Sequence, residues 1–397
     1  MDILIYPNKL SGKISSIPSK SQAHRLLICA AFSANETQIL CTETNRDIEA
    51  TAQCLCALGA SISYVNGIYH VTPVSKLPEK AVLPCGESGS TLRFMVPIAG
   101  ALGVDADFLM EGRLPNRPLS PLREEMERMG CSFHRPSENV LRCIGQLRPG
   151  KYSIDGGVSS QFISGLLLAL PLLNGESSLE ITGKIESAPY IHLTRNVLKL
   201  FGISVDPTIR GCRPFRSPGT VTVEGDWSNA AFFLAANILG SNVQVTGLND
   251  HSTQGDKAIL PCLDALTDMP EISAADIPDL VPILAVAAGA KKGARFTDIA
   301  RLRLKESDRV ETVAQMLRNL GAHATYTKNT LEILPGTYHG CIIDAAGDHR
   351  IAMAGAIAAT VADGPVTILG AECTAKSYPG FWNTYKHLGG HYEQHIR

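Results

Sequence analysis

A short motif recurs along this chain at intervals of about 70 residues. In each copy an apolar residue and a glycine end a helix-like segment, and an alternating, strand-like segment follows. Glycine after an apolar helix end is the usual left-handed helix stop. A degenerate copy fits near Leu263–Leu266, and the clear copies are Leu58–Ile62, Met129–Phe133, Phe201–Val205, Leu320–Ala324 and Leu388–Tyr392.

A second series runs in step with the first and consists of segments that read as helices with apolar residues on nearly every face. A helix without a polar face belongs inside the protein. One buried and one exposed helix per repeat, with strands between, predicts a duplicated α/β architecture of six units, three in each of two domains. The predicted buried helices are Leu26–Phe32, Leu92–Leu102, Phe162–Leu170, Ala230–Leu239, Leu280–Ala290 and Ile351–Val361.

Polar residues and glycines cluster where these buried helices begin. A helix N-terminus presents free N–H groups and a partial positive charge, and glycine allows a ligand to approach the backbone. Any one of these serines or aspartates is best explained as a helix cap. Two of these starts, residues 19–25 and 347–350, also hold Lys or Arg, which together indicate sites for phosphate or carboxylate groups. The starts are Ser19–Arg25, Gly86–Thr91, Gly156–Gln161, Gly225–Ser228, Asp276–Asp279 and Gly347–Arg350.

The segment from Arg301 to Arg309 is the most densely charged part of the chain, with six charged residues among nine. The alternation over residues 301–305 predicts a strand with one wet face. Ser307 is predicted to cap a helix whose apolar side is Val310, Val313, Leu317 and Leu320. Lys305, Glu306 and Arg309 would then lie at a strand-to-helix junction, a common location for catalytic groups in α/β proteins.

Composition narrows the class of protein further. The 397 residues suffice for two domains, and a net charge of −2 argues against nucleic acid or a membrane surface as the main partner. No apolar stretch is long enough to span a bilayer, and the N-terminus lacks the pattern of a signal peptide. The 11 scattered cysteines favour reduced thiols in a cytoplasmic protein. Neither a metal-ligand spacing nor a phosphate-loop motif is present, so we expect no metal and no cofactor.

Nine motifs, in order and over essentially the whole chain, resemble those of the 3-phosphoshikimate 1-carboxyvinyltransferase family of enolpyruvyl transferases. The resemblance implies a two-domain inside-out α/β barrel of six βαβαββ repeats. Residues 1–17 with 224–397 would form one lobe and residues 18–223 the other, with the active site in the cleft between them. The motifs are SKSQAHR (19–25), GESGST (86–91), RLPNRPLSPL (113–122), SSQF (159–162), SAPYI (187–191), IPD (277–279), LKESDR (304–309), GDHRIAM (347–353) and CTAKSYP (373–379).

The resemblance implies transfer of the enolpyruvyl group of phosphoenolpyruvate to the 5-hydroxyl of shikimate 3-phosphate, by a cytoplasmic monomer. Asp279 would act as the base toward the attacking hydroxyl, and Glu306 with Lys20 would move the proton to and from the methylene carbon. Shikimate 3-phosphate would contact Lys20, Ser21, Arg25, Ser159, Ser160, Gln161, Ser187, Tyr190, Asp279 and Lys305. Phosphoenolpyruvate would contact Lys20, Gly89, Arg117, Gln161, Arg309, Arg350 and Lys376.

The charges of these residues nearly balance those of the substrates. The seven cationic and two anionic side chains leave +5, against roughly −5 to −6 on the two substrates. Arg93, Arg113, Arg123 and Arg303 receive no role, since scattered surface charges explain them. The chain departs from many family members at Glu87 and from some at Arg301, and neither receives a contact.

Two other functions stay open. Enolpyruvyl transfer to UDP-N-acetylglucosamine uses the same architecture, but that family has a cysteine shortly before an Arg-Pro pair. Here residues 111–116, which precede Arg117-Pro118, contain no cysteine. The other alternative is a non-catalytic binder of phosphorylated metabolites on the same scaffold. The intact Lys20, Asp279 and Glu306 speak against it.

Overall fold

The computed structural model describes residues 1–212 and 215–395. The chain forms two compact units. Unit 1 consists of Met1–Ile17 and Gly225–Arg397, and unit 2 consists of Pro18–Glu224. Each unit has its own apolar core built from helices and strands.

Strands and helices alternate along the whole chain, as expected for an α/β protein. The strands are β1 (Asp2–Tyr6), β2 (Ser11–Ser15), β3 (Thr37–Leu40), β4 (Ser61–Val65), β5 (Ile68–Thr72), β6 (Lys80–Gly86), β7 (Asp105–Met110), β8 (Cys131–Ser137), β9 (Val140–Gly145), β10 (Lys151–Asp155), β11 (Glu176–Thr182), β12 (Ile209–Arg210), β13 (Thr220–Thr222), β14 (Asn242–Thr246), β15 (Glu271–Ser273), β16 (Ala294–Thr297), β17 (His323–Tyr326), β18 (Thr330–Leu334), β19 (Ile342–Asp344), β20 (Val366–Leu369) and β21 (His391–His395). The α-helices are α1 (Lys20–Ala31), α2 (Arg46–Ala57), α3 (Gly89–Leu102), α4 (Leu122–Arg128), α5 (Ser160–Ala169), α6 (Ala188–Leu200), α7 (Trp227–Ile238), α8 (Ile259–Asp264), α9 (Val281–Gly289), α10 (Arg309–Leu320), α11 (His349–Ala359) and α12 (Phe381–His387).

Four of the sheets in the described residues share one topology, a parallel pair followed by two antiparallel pairs. Their strand orders are β6-β7-β9-β8, β13-β3-β5-β4, β15-β16-β18-β17 and β19-β20-β1-β21. The buried faces match across strands, as where Leu83 lies opposite Phe108. The recurring order reflects the predicted βαβαββ repeat.

The remaining two sheets are shorter versions of the same repeat. They are β10-β11-β12 in unit 2 and β14-β2 in unit 1. The N-terminal strand β1 pairs with β20 and β21 near the end of the chain, β2 pairs with β14, and β13 pairs with β3. Each unit therefore holds three sheets, and the predicted α/β class with six repeats is confirmed.

The six predicted buried helices are all present, as α1, α3, α5, α7, α9 and α11. Every residue of α9 is buried, and the middle turns of the other five are buried as well. Several begin earlier than predicted, because their first turns are polar while the apolar run marks only the buried part. Helix α1 starts at Lys20, six residues before the first predicted residue, Leu26.

The glycine stops are also confirmed. Gly59, Gly130, Gly202, Gly321 and Gly389 all have positive φ, between 76° and 121°. Four of the five are followed by the predicted strand, and the exception is the copy at residues 201–205. There residues 203–205 form no strand, and β12 begins only at Ile209.

The predicted strand over residues 301–305 is wrong, because Ala300–Leu304 is a 3-10 helix. The neighbouring strand β16 pairs with β15 and β18, so residues 301–305 cannot pair with β16 itself. Helix α10 follows, as predicted, with its apolar side buried. Its N-cap is Asp308 rather than Ser307, since the Asp308 Oδ1 atom accepts from the backbone N–H groups of Val310 and Glu311.

Candidate active site

In unit 1, the buried guanidinium of Arg309 holds three carboxylates. Its Nη1 donates to Asp279 Oδ1 at 2.6 Å, its Nη2 to Glu306 Oε2 at 2.8 Å and its Nε to Asp348 Oδ2 at 2.8 Å. Arginine suits this position because its planar fork offers several donors in fixed directions. Asp279 and Glu306, the two predicted proton-transfer residues of this unit, therefore pair with the same cation.

Two further cations contact Asp279. Lys305 Nζ lies 3.6 Å from Asp279 Oδ1, and Arg350 Nη2 lies 3.4 Å from Oδ2. Arg350 Nη1 also donates to the backbone carbonyl of Asp279 at 3.2 Å. Three positive side chains thus converge on one carboxylate of the same unit.

Helix starts bring these groups together. Asp279 lies just before α9, Arg309 is the first residue of α10, and Arg350 is the second residue of α11. Asp348 caps α11 by accepting from the Arg350 N–H at 3.0 Å, and it also accepts from the Ser307 hydroxyl at 3.0 Å. Asp348 therefore connects the starts of α10 and α11.

The pKa values in this cluster shift in opposite directions. Burial alone would raise the pKa of Asp279, but Arg350, Lys305 and Arg309 outweigh it and hold that pKa well below its ordinary value. Burial lowers the pKa of Lys305 to about 8, although Asp279 partly offsets this effect. Burial would also lower the pKa of Arg309, but Asp348, Glu306 and Asp279 raise it.

Lys376 is buried at the end of a 3-10 helix, Ala371–Lys376, that packs against α11. The next residue, Ser377, is buried and accepts a hydrogen bond from Asn229 Nδ2 at 3.2 Å. Arg301 lies within the 3-10 helix Ala300–Leu304.

In unit 2, Lys20 and Arg25 lie on the first two turns of α1. Lys20 Nζ pairs with Asp47 Oδ2 at 2.9 Å. Arg25 is buried, and its guanidinium donates to Thr194 Oγ1 at 2.7 Å, to Ser164 Oγ at 3.3 Å and to backbone carbonyls. Burial lowers the pKa of Arg25 to about 10, so its charge persists at neutral pH.

The backbone carbonyls that Arg25 binds belong to two residues predicted to contact shikimate 3-phosphate. Arg25 Nη1 donates to Ser21 O at 2.5 Å, and Nη2 donates to Tyr190 O at 3.2 Å. Ser187, just before α6, is buried and has a left-handed backbone with φ of 57°. The structure thus gathers Ser21, Arg25 and the start of α6 in one region of unit 2.

Gln161 and the glycine loop form the second group of unit 2. Gln161 Nε2 donates to Ser90 Oγ at 2.9 Å, and Gln161 Oε1 accepts from Arg93 Nη1 at 3.0 Å. A Cβ at Gly89 would lie 2.6 Å from Arg117 Nη1 and 2.7 Å from Arg93 Nη1, so the absence of a side chain lets both guanidinium groups approach the backbone. Ser159 caps α5, and the adjacent Ser160 is buried.

Three charged residues in these clusters received no substrate role from the sequence. Asp47 pairs with Lys20, Arg93 contacts Gln161, and Asp348 holds Arg309. Of these three residues, only Asp348 has a signal in the sequence, because it lies at the start of a predicted buried helix, where an aspartate is expected to cap the helix. Adding Asp47 and Asp348 to the nine charged side chains of the predicted site lowers its net charge by two, and adding Arg93 raises it by one.

Within the described residues, no group of three or more His, Cys, Asp or Glu side chains is arranged to hold a metal ion. The same part of the chain has no helix with the length and apolar character needed to cross a membrane.

Comparison with solved structures gives the fold class. The structure matches EPSP synthase from Acinetobacter baumannii with a TM-score of 0.80, covering 99% of this chain and 100% of the other at 24% identity. It matches the enolpyruvyl transferase NikO from Streptomyces tendae with a TM-score of 0.76, covering 99% and 98% of the two chains at 17% identity. The chain therefore has the fold of the enolpyruvyl transferases.

Sequence comparison identifies the family. Residues 5–385 match the model of the family described as EPSP synthase (3-phosphoshikimate 1-carboxyvinyltransferase). A relative named 3-phosphoshikimate 1-carboxyvinyltransferase from Clostridium kluyveri is 37% identical over 99% of this chain and 98% of its own length. One of the same name from Clostridium acetobutylicum is 38% identical over 98% and 97% of the two chains. The chain belongs to the EPSP synthase family.

Proposed function

We propose that this protein transfers the enolpyruvyl group of phosphoenolpyruvate to the 5-hydroxyl of shikimate 3-phosphate and releases phosphate, in the biosynthesis of aromatic amino acids. Membership of the family supports the reaction. The observation on which the proposal most rests is the cluster around Arg309, in which Asp279 and Glu306 share one buried guanidinium. Two carboxylates held by cations suit a reaction that moves protons to and from anionic substrates.

Shikimate 3-phosphate is assigned mainly to groups of unit 2. Arg25 and Lys20 supply positive charge on α1, and hydroxyl and amide donors accompany them at helix starts. The proposed contacts are Lys20, Ser21, Arg25, Ser159, Ser160, Gln161, Ser187 and Tyr190, together with Asp279 and Lys305 of unit 1.

Phosphoenolpyruvate is assigned to the glycine loop and to the remaining cations. Gly89 admits guanidinium groups close to the backbone at the start of α3, where free N–H groups favour an anion. The proposed contacts are Lys20, Gly89, Arg117, Gln161, Arg309, Arg350 and Lys376.

Asp279 is the proposed base toward the attacking 5-hydroxyl. Without substrates its pKa is held low by three cations, which makes it a weak base. Substrate anions bound to the same cations would reduce their effect on Asp279, and its pKa would rise toward the range useful for proton transfer. Glu306, with Lys20, is the proposed proton carrier to and from the methylene carbon during addition and elimination.

A phosphate-release assay tests the reaction and its nearest alternative together. Purified protein is given phosphoenolpyruvate with shikimate 3-phosphate in one series and with UDP-N-acetylglucosamine in the other. Release only with shikimate 3-phosphate supports the proposal. Release only with the nucleotide sugar would assign the protein to the sister reaction.

The substitution Glu306→Gln separates an enzyme from a pure binder on the same scaffold. Gln keeps the shape of the side chain and removes its proton-transfer capacity. The enzyme should lose most of its turnover while both substrates still bind, as measured by calorimetry. Unchanged turnover would contradict the role given to Glu306.

We also propose that the protein works as a monomer in the cytoplasm, without a nucleic-acid or membrane partner. The near-neutral net charge argues against those partners, and the 11 scattered cysteines favour the cytoplasm. Light scattering during gel filtration tests the monomer directly.

A further inference from the structure

Three buried side chains of unit 2 form a chain of hydrogen bonds between helices. His24 Nδ1 of α1 lies 2.7 Å from Thr51 Oγ1 of α2, and Thr51 Oγ1 lies 2.7 Å from Thr91 Oγ1 of α3. All three residues are fully buried. We call His24, Thr51 and Thr91 the positioning relay.

The far end of the positioning relay reaches two groups next to proposed substrate contacts. Thr91 Oγ1 lies 2.8 Å from Ser88 Oγ, which caps α3 directly before Gly89. Thr91 Oγ1 also lies 3.3 Å from the backbone carbonyl of Asp47, whose carboxylate pairs with Lys20. One hydroxyl thus touches both the glycine loop and the residue that holds Lys20.

The direction of these hydrogen bonds follows from counting protons. The single hydroxyl proton of Thr91 is donated to Asp47 O or to Ser88 Oγ. The proton in the contact between Thr51 and Thr91 must then come from Thr51. Since the proton of Thr51 is used there, the contact with His24 takes its proton from the Nδ1–H of the ring.

His24 is suited to be the first donor in this series of hydrogen bonds. Burial lowers its pKa to about 3, so the ring is neutral and Nδ1 can carry the single ring proton. Its Nε2 has no hydrogen-bond partner among the described residues, and the ring packs edge-on against Phe94. Thr51 is therefore the hydrogen-bond partner through which the His24 ring reaches α2 and α3.

We infer that the positioning relay fixes the glycine loop at the start of α3 relative to the Lys20–Asp47 pair, and thereby sets the affinity for phosphoenolpyruvate. None of the three residues is itself a proposed substrate contact or proton carrier. They are therefore positioning residues. The inference rests on the proposed function, because that function assigns Gly89 to phosphoenolpyruvate alone and Lys20 to both substrates.

The test compares Thr51→Val, which keeps the shape and removes the hydroxyl, with Thr51→Ser, which keeps the hydroxyl and removes the methyl group. In Thr51→Val we expect the KM for phosphoenolpyruvate to rise about tenfold, as for other outer-shell partners of a site, while the KM for shikimate 3-phosphate changes much less. Thr51→Ser should restore most of the affinity. Equal effects of both variants, or a lower Tm with an unchanged ratio of the two KM values, would overturn the inference.

A second pair of variants covers the case in which Thr51→Val does not fold. His24→Asn keeps a donor near the position of Nδ1, and His24→Leu removes it. Only His24→Leu should raise the KM for phosphoenolpyruvate. Equal KM values in the two His24 variants would also overturn the inference.

Hydrogen exchange separates failure of this inference from failure of the proposed function. The amides of residues 88–91 should exchange about tenfold faster in Thr51→Val than in Thr51→Ser, whatever reaction the protein catalyses. If exchange is faster in Thr51→Val than in Thr51→Ser while the wild-type protein releases no phosphate, the proposed function is rejected and the relay is kept. Unchanged exchange in an active protein would reject the relay.

Discussion

Arg309 Nη1 lies 2.6 Å from Asp279 Oδ1, so a residue expected to bind one substrate is already paired with the residue expected to act as the base. The same guanidinium also holds Glu306. A substrate anion that engages Arg309 must compete with both carboxylates. Substrate binding and the proton affinity of the two carboxylates are therefore coupled through one side chain.

We expect Arg309→Lys to weaken both stability and activity. Lysine keeps the charge but cannot donate to three carboxylates in fixed directions, and each lost charge-assisted hydrogen bond costs about 1.5–3 kcal/mol. The variant should show a lower Tm and at least a 100-fold lower kcat/KM for phosphoenolpyruvate. Arg303→Lys is the matched control, because Arg303 pairs with the partly exposed Asp308 and should change little. Wild-type kcat/KM in Arg309→Lys would contradict the coupling.

Asp279→Asn should reduce kcat by about 100- to 10,000-fold, the usual contribution of a general base. The amide keeps the size of the side chain, so binding of both substrates should persist in calorimetry. The stability of the wild type also depends on this carboxylate. Because the folded pKa of Asp279 is depressed, its contribution is complete above the unfolded pKa and is lost as pH falls through the folded pKa.

Acid unfolding checks this last point. The wild type should lose stability more steeply than Asp279→Asn as the pH falls below about 4. Parallel acid-unfolding curves for the two proteins would show that Asp279 is not held at a low pKa.

The positions of the helices could be predicted from the sequence because they depend on local patterns. An unbroken apolar run marks the buried part of α9, and glycine after an apolar residue marks the stops at Gly59 and Gly321. A local pattern also gave the strand predicted over residues 301–305, and that prediction is wrong. Alternating Arg and Leu does not distinguish a strand from a 3-10 helix, and residues 300–304 form the helix.

The contacts within the candidate site were only partly predictable. Asp279, Glu306 and Arg309 were expected together, and the structure brings them together. Asp47 and Arg93 were missed because their partners, Lys20 and Gln161, lie 27 and 68 residues away in the sequence and on other helices. A pairing of this kind arises from packing between helices, which leaves no mark in local spacing. The substrate contacts of all these residues stay predictions.

Lys305 gives a prediction about alkaline pH. Its folded pKa of about 8 lies below the unfolded value, so between about pH 8 and 10.5 the unfolded chain binds more protons. Lys305 therefore opposes folding at neutral pH, and this cost disappears as pH rises through that window. The charged form is the one expected to bind shikimate 3-phosphate.

We therefore expect kcat/KM for shikimate 3-phosphate to fall above about pH 8, since this parameter reports the pKa values of the free enzyme. Lys305→Arg keeps its charge over this range and should lack the fall. Lys386→Arg, a change at an exposed lysine, should keep the wild-type profile. A fall that persists in Lys305→Arg would assign the titration to another group.

Asp348→Asn tests whether the third carboxylate on Arg309 positions that side chain for the reaction. Asparagine can still cap α11, so the helix should form, but the Arg309 Nε loses its charged partner and the guanidinium is less firmly oriented. We expect kcat/KM to fall about 10- to 100-fold, as for other residues that orient a functional group. The matched control is Asp308→Asn, which changes the cap of α10 at a more exposed position and should leave kcat/KM within about twofold. If the two variants lose activity equally, the effect comes from helix capping and Asp348 has no separate role in orienting Arg309.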